Sequence, residues 1–150
     1  MQANVATPQQ VSDLIAVLTT HLNASAFPEM SRVLGELDIS FTQMKVLHAL
    51  DAAEDEISLK SLAAYLSMSL PAMSRSVDGL VNLGLVARRE SDADRRSRLL
   101  TLLPQGREAL RRVSAAREAA VTAFVADLPD ADRTALRDAL LPIVERITSP

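Results

Sequence analysis

Apolar residues recur at helical spacing in a long segment near the N-terminus of this 150-residue chain. Thr7 and Gln10 form a capping-box pattern with Pro8 at the first helical position, which predicts where the helix begins. Pro28 is expected to kink or end this helix near Phe27. The apolar stripe lies on one face of the helix, at Val11, Leu14, Ile15, Leu18 and Leu22.

Two further helices are predicted at the C-terminal end. One runs from Pro104 to about Ala126, and the last begins near Asp130, with Pro142 expected to interrupt and bend it. The helices at both ends carry more apolar surface than a central module of about 65 residues needs for its own core. This surplus favours a dimer interface, and the alternative is a monomer in which the helices fold back over the module. The predicted dimer contacts are Val11, Leu14, Leu18, Phe124, Leu136, Leu140 and Ile143.

Three shorter helices are predicted between these ends, each opened by a serine that can act as an N-cap: Ser40, Ser58 and Ser69. The third helix carries Met73, Val77 and Leu80 on one side and ends at Gly84. Two strands follow, near residues 86–90 and 97–102, joined by a charged tip. This order indicates a mainly α fold, a winged helix-turn-helix with a two-stranded wing, flanked by dimerisation helices at both ends.

The composition excludes several classes of function. The chain has no cysteine, so it has no disulfides, cysteine metal sites or thiol-based redox sensing. Two histidines and scattered carboxylates give no metal-ligand spacing, and no phosphate loop or nucleophile motif is present. We therefore expect no metal, no cofactor and no enzymatic activity. No apolar run approaches the length of a membrane span, so a soluble, cytoplasmic protein without a membrane partner is expected.

Positive charge is concentrated in the predicted hairpin. The net charge of the chain is −3, so binding to a polyanion needs a local basic region. Five arginines lie between residues 88 and 98, against three carboxylates in the same segment. An arginine-rich hairpin behind a helix that opens with small residues is typical of a module that holds duplex DNA. The predicted DNA contacts are Ser69, Leu70, Pro71, Ala72, Ser74, Arg75, Arg88, Asp94, Arg95, Arg96 and Arg98.

Each of these predictions has a plainer alternative. Arg75 can reach guanine or a phosphate, but it can equally be a surface arginine paired with Asp78. Arg95 or Arg96 can enter a narrow minor groove with Asp94 bracing a neighbouring arginine. The alternative is a solvated hairpin tip whose charges neutralise one another.

The order and spacing of the central motifs resemble the MarR family of bacterial transcription regulators. The resemblance runs from about Leu37 to Leu110, half of the chain. The residues that carry it are Ser40, Gln43, Val46 and Leu47; Leu59, Leu62, Ala63 and Leu66; Ser74, Arg75, Val77, Asp78 and Leu80; Leu83 to Val86 with Arg88; Asp94 to Arg96; and Leu102, Pro104 and Gly106.

The resemblance implies a homodimer with intertwined terminal helices, one winged helix per subunit and a pseudo-palindromic double-stranded DNA operator. It also implies repression, with a small-molecule effector bound between the helical layer and the winged helix. His21, Phe27, His48 and Tyr65 are candidate residues for that pocket. The expected division is residues 1–38 for the N-terminal dimerisation region, 39–103 for the DNA-binding domain and 104–150 for the C-terminal dimerisation helices, as one fused unit.

Three features depart from the family pattern. Leu103 stands where the family usually has a threonine, so the helix from Pro104 lacks a hydroxyl N-cap. Gly79 lies inside the predicted recognition helix, where glycine costs up to about 1 kcal/mol of helix propensity. Ala72 and Met73 make the reading face less polar. The main alternative function is a winged-helix module that contacts another protein and does not bind DNA.

Overall fold

The computed structural model describes residues 5–53, 55–94 and 97–149. Within those ranges the chain forms six helices and a three-stranded antiparallel sheet, so the mainly α winged-helix fold is confirmed. In chain order the elements are α1 (Pro8–Glu36), α2 (Phe41–Ala52), β1 (Ile57–Ser58), α3 (Leu59–Tyr65), α4 (Leu70–Asn82), β2 (Val86–Glu90), β3 (Arg98–Leu102), α5 (Pro104–Ala126) and α6 (Asp130–Thr148).

The chain divides into two compact units. Pro28–Ala116 form the first, called here the winged-helix unit, and Met1–Phe27 with Arg117–Pro150 form the second, called the terminal-helix unit. These units are defined by compactness, whereas the predicted division into three segments is by function and stays a prediction.

Serine side chains begin the three short helices, as the sequence predicts. Ser40 and Gln43 form a full capping box, in which the Gln43 amide donates to Ser40 Oγ at 3.1 Å and the Ser40 amide donates to Gln43 Oε1 at 2.8 Å. Ser58 Oγ accepts from the Ser61 amide at 3.0 Å, and Ser69 Oγ accepts from the Ala72 amide at 3.4 Å. These bonds fix where α2, α3 and α4 begin.

Helices α1, α3 and α4 all end at a residue in the left-handed conformation. Gly84 ends α4 with φ of 70°, and the Leu85 amide donates to the Leu80 carbonyl at 3.0 Å, the bond that defines a Schellman motif. Asp38 and Ser67 occupy the equivalent position after α1 and α3, with φ of 54° and 53°. Of these three residues, the sequence singled out only Gly84 by its freedom to adopt a left-handed conformation.

The sheet has strand order β1-β3-β2. Strands β2 and β3 form the predicted wing, with Val86 opposite Leu102 at its base and Glu90 opposite Arg98 near its tip. Strand β1 adds a short third strand, with Ile57 opposite Leu100. The wing is thereby attached at its base to the start of α3.

An aliphatic core holds the winged-helix unit together. Its fully buried side chains come from α2, α3, α4 and the sheet: Val46, Leu47, Leu62, Met73, Val77, Leu80, Val86 and Leu100. No polar residue is buried among the described residues. The predicted buried side of α4 is confirmed, since Met73, Val77 and Leu80 are all 0% exposed.

Proline does not end either terminal helix. Helix α1 continues through Pro28 to Glu36, and α6 continues through Pro142 to Thr148. Of the two outcomes expected at Pro28, a kink or a helix end, the helix end is therefore wrong, as is the interruption of α6 at Pro142. A proline removes one N–H donor, and the neighbouring turns keep their own hydrogen bonds. No helix among the described residues is long and apolar enough to cross a membrane.

Candidate nucleic-acid interface

The first turns of α4 present small and apolar groups to solvent above a buried stripe. Leu70 is 49% exposed, Pro71 and Arg75 are exposed, and Ala72 and Ser74 are half-buried. The neighbouring Met73 anchors the helix in the core, so the exposed face has a fixed orientation within the winged-helix unit. The N-cap Ser69 is also exposed, with its hydroxyl on the Ala72 amide. All six predicted contacts on this helix therefore cluster around its N-terminal half.

Asp78 links α4 to the wing. Its carboxylate forms an ion pair with Arg88 on β2, and its second oxygen lies 3.5 Å from the Ser74 hydroxyl. The alternative predicted for Arg75, an ion pair with Asp78, is not the arrangement observed, because Arg88 occupies this carboxylate. Among the described residues Arg75 has no ion pair.

Arg89, next to Glu90 on β2, is held by Glu56. The guanidinium donates to both carboxylate oxygens, Nε to Oε1 at 2.8 Å and a terminal nitrogen to Oε2 at 2.5 Å. Thr101 on β3 also donates to Glu56, at 3.2 Å. The hydrogen bond from Arg89 lowers the pKa of Glu56 below its usual value. The segment before β1 is thus joined to both strands of the wing.

The wing tip contains a further ion pair. Arg98 pairs with Glu90, the residue directly opposite it in the hairpin. The Asp94 carbonyl accepts a hydrogen bond from the Ser97 amide at 2.8 Å, which closes the tip. Arg95 and Arg96, predicted for minor-groove insertion, lie outside the described residues.

Carboxylates therefore accompany every arginine of the wing that the structure describes. Arg88, Arg89 and Arg98 pair with Asp78, Glu56 and Glu90 respectively. These pairs are all partly exposed, so each contributes little to stability and a phosphate can compete for the arginine. The predicted contacts Arg88 and Arg98 lie on the wing, but in ion pairs that the local charge count did not reveal.

Lys60 is a candidate cation that the sequence analysis missed. It is exposed near the start of α3 and has no ion pair among the described residues. With Leu70, Ser97 and Arg98 it lines a small cavity of about 210 Å³ between the starts of α3 and α4 and the wing. The only sequence signal was that Lys60 is one of two lysines in the chain.

The predicted effector residues fall in different surroundings. In the terminal-helix unit, the rings of His21 and Phe124 lie 5.6 Å apart and tilted, and Phe27 is 57% exposed. In the winged-helix unit, His48 borders an open cavity of about 450 Å³ with Arg107 and Leu110, whereas Tyr65 is 70% exposed on α3. Tyr65 does not line the His48 cavity. The described residues include no group of acidic or histidine side chains that could hold a metal.

The predicted dimer residues all lie in the terminal-helix unit. Leu14 is 71% exposed, Val11 44%, Leu140 47% and Ile143 45%, while Leu18, Phe124 and Leu136 are half-buried. Within the described part of this unit Ala26 is the single buried apolar residue, and α6 has no buried residue. The unit thus leaves an apolar surface that its own residues do not cover.

Comparisons with known proteins show what the winged-helix region and the fold are similar to. Residues 37–97 match the sequence profile of the MarR family. No curated protein sequence matches the chain. The fold is similar to that of RV1404 from Mycobacterium tuberculosis, with a TM-score of 0.70, 25% identity and coverage of 99% of this chain and 100% of that one.

Two more distant structures share the fold. The transcriptional regulator Tm0710 from Thermotoga maritima has a TM-score of 0.74 at 21% identity, with 92% of this chain and 95% of that chain covered. A variant of S. aureus MepR, bound to an oligodeoxyribonucleotide, has a TM-score of 0.69 at 19% identity, with 92% and 98% covered. The profile match and the shared fold confirm the resemblance predicted from the motifs: residues 37–97 are similar to the MarR family, and the fold is that of the compared structures.

Proposed function

We propose that the chain is a homodimeric, cytoplasmic regulator of transcription that binds double-stranded DNA sequence-specifically. The observation that carries this proposal is the N-terminal half of α4, which exposes Leu70, Pro71 and Arg75 directly beside an arginine-bearing wing. A helix with small residues at its start, anchored by a buried apolar stripe, can lie in the major groove with its backbone close to the bases.

Base contacts in this proposal come from Ser74 and Arg75. A serine hydroxyl can donate to a base or a phosphate, and an arginine can bond both acceptors of guanine. Arg75 is the stronger candidate, since it is exposed and without an ion pair among the described residues. Ser69, Pro71 and Ala72 let the backbone approach the groove.

Backbone contacts come from the wing and from α3. Arg95 and Arg96 are proposed to enter a flanking minor groove, which attracts cations where it is narrow. Arg98 and Lys60 are proposed to hold phosphates on either side of their shared cavity. Arg98 must leave Glu90 to do so, which an exposed ion pair permits at small cost.

Dimerisation is proposed through the terminal-helix unit. Its uncovered side chains, among them Leu14, Leu140 and Ile143, are too exposed for a stable layer in water. A second copy of the chain would bury them and supply a second reading head. Two heads about 34–36 Å apart reach successive turns of the same face of DNA.

Regulation is proposed to be repression relieved by a small molecule. A dimer bound at a promoter blocks access by occupancy, and an effector releases it only if it binds the DNA-incompetent state more tightly. His21, Phe27, His48 and Tyr65 remain the candidate contacts. The MepR variant shares the fold and was crystallised with an oligodeoxyribonucleotide, which supports the DNA-binding part of the proposal.

Selection from a random duplex library tests this function. Duplexes retained by the protein are sequenced after several rounds, with an Arg75→Ala variant selected in parallel. We expect an inverted repeat with half-sites about 10 base pairs apart, and weaker base preference in the half-site for the variant. Recovery of no sequence preference by the native chain would contradict the proposal.

One observation favours the alternative of a protein-binding module. The described wing arginines are each paired with a carboxylate, so the wing is less basic than its arginine count implies. In that case the native chain would bind random and selected duplexes equally and weakly.

A further inference from the structure

Asp78 contacts two side chains of the proposed DNA interface, those of Ser74 and Arg88. It lies one helical turn after Ser74 on α4, and its two oxygens serve different partners. One accepts from the Arg88 guanidinium on β2 and the other lies 3.5 Å from the Ser74 hydroxyl. A recognition helix and a wing strand are thus connected through a single carboxylate.

The ion pair between Asp78 and Arg88 is exposed enough for a phosphate to replace the carboxylate. The Arg88 and Asp78 side chains are 34% and 46% exposed, so water reaches both and their pairing contributes little to stability. A DNA phosphate offers the same planar guanidinium an equally good anionic partner. When Arg88 moves to a phosphate, however, the Asp78 charge is left uncompensated beside a polyanion. Asp78 therefore penalises that exchange.

We propose that Asp78 makes the contact of Arg88 with a phosphate conditional on docking: it retains Arg88 on non-specific DNA and gives it up only in the fully docked complex. This inference rests on the proposed DNA-binding function. On random sequence, α4 does not insert deeply, and no base contact offsets the cost of exposing the Asp78 charge. On a specific site, base contacts from α4 offset that cost and bring the wing strand to the backbone. The carboxylate thereby confines the contact between Arg88 and a phosphate to the specific complex, where base contacts offset its cost.

Asp78→Asn isolates the charge, because the amide has the same shape and still offers an oxygen to Arg88. The variant should hold one additional phosphate on random DNA. The slope of log affinity against log salt then steepens by about 0.9, which is about a 3.5-fold greater loss of affinity between 50 and 200 mM salt. The slope on a selected duplex should stay nearly unchanged, because Arg88 already contacts a phosphate there, while the affinity rises on both duplexes.

Two further variants make the result interpretable. Glu108→Gln removes the same charge from the same unit and frees Arg111 on α5, where the pair is 2.6 Å long and does not involve α4 or the wing. It should leave both slopes unchanged. The double variant Asp78→Asn with Arg88→Ala should lose the steeper slope on random DNA, since the released arginine is what carries it.

The experiment measures fluorescence anisotropy of native and variant chains on a random-sequence duplex and on a duplex recovered by selection, over a range of salt. Steepening on random duplex alone, abolished by the double variant, supports the inference. An unchanged slope, or an equal change on both duplexes, overturns it while leaving DNA binding intact. A native chain that binds neither duplex in a salt-dependent way overturns the proposed function itself.

Discussion

The side chain of Gln43 occupies the space that a Cβ atom on Gly79 would need. An ideal Cβ built at Gly79 would lie 2.5 Å from Gln43 Nε2, and the same Nε2 donates to the Ser76 carbonyl at 3.4 Å. The Gln43 Oε1 atom is meanwhile engaged in the capping box of α2. One glutamine therefore fixes the start of α2 and packs it against α4, and glycine in the recognition helix makes room for it.

Gly79→Ala should therefore gain less stability than the better helix propensity of alanine alone would give. Part of that gain of up to about 1 kcal/mol is lost because the end of the Gln43 side chain must shift, which weakens its bond to α4 or its cap. Gly35→Ala is the matched control, since nothing lies within 4 Å of a Cβ there, and it should raise the free energy of unfolding. Urea titration of both variants measures the difference.

The double variant Gly79→Ala with Gln43→Ala tests whether the Gln43 side chain is what limits the stability gained by alanine at position 79. Once the Gln43 side chain is shortened to alanine, the Gly79→Ala change should stabilise the chain by more than it does in the native background. Equal effects of Gly79→Ala in the two backgrounds would mean that Gln43 is not the reason for glycine at this position.

The Glu56–Arg89 pair makes part of the stability pH-dependent. The pKa of Glu56 is lower in the folded chain than in the unfolded one, chiefly through the hydrogen bond from Arg89. Its contribution is complete above the unfolded pKa and is lost as the pH falls through the folded pKa. Glu56→Gln should therefore destabilise the chain at pH 7 and flatten the decline of stability in acid.

Glu118→Gln, at an exposed residue with no ion pair among the described residues, should leave the profile unchanged. Thermal unfolding between pH 3 and pH 7 tests this, and parallel profiles for the native chain and Glu56→Gln would refute it.

Charge placed on the apolar surface of α6 should prevent dimerisation. Leu140→Asp introduces a carboxylate at a position that is 47% exposed in the single chain and, in the proposed dimer, covered by the partner. We expect a monomer at micromolar concentration by light scattering. Leu83→Asp is the control, because Leu83 is 39% exposed but belongs to the winged-helix unit. A native chain that is already monomeric, or a Leu140→Asp variant that remains dimeric, would contradict the proposed interface.

The fold was predictable where short-range chemistry determines it. Serine N-caps, the stop at Gly84 and the period of the apolar residues are local signals, and they gave the ends of α4, β2 and α5 correctly. The left-handed conformation of Asp38 and Ser67 was not predicted, because neither residue is a glycine. A helix end at Pro28 and an interruption at Pro142 were wrong, because the effect of proline was judged without the hydrogen bonds of the neighbouring turns.

The site was less predictable, because ion pairs join residues far apart in the chain. Arg89 and Glu56 are 33 positions apart in the chain, and Arg88 pairs with Asp78, which precedes the hairpin on α4. Because these two carboxylates lie outside the hairpin, counting charges within it overstated the number of unpaired arginines. Lys60 gave no pattern of its own and became a candidate only through the cavity that it shares with the wing. Gly79 departs from the family pattern, and the sequence does not show the reason, which is that the Gln43 side chain occupies the space a Cβ atom would need.

Substitutions in α4 and in the wing should change the affinity for DNA in different ways. A duplex recovered by selection should bind the native chain tightly, and Arg75→Ala should weaken that binding by roughly 1–3 kcal/mol while relaxing the preference at one base position. The double variant Arg95→Ala with Arg96→Ala should weaken binding to all sequences and make the salt dependence shallower.

Salt-titrated fluorescence anisotropy on the selected duplex tests the central claim most directly. A dimer making about 6–10 phosphate contacts should lose roughly 10³–10⁵-fold in affinity between 50 and 200 mM salt, and the Arg95→Ala, Arg96→Ala variant should lose less. Weak binding that is insensitive to salt and unchanged by the double variant would contradict DNA binding by this winged helix.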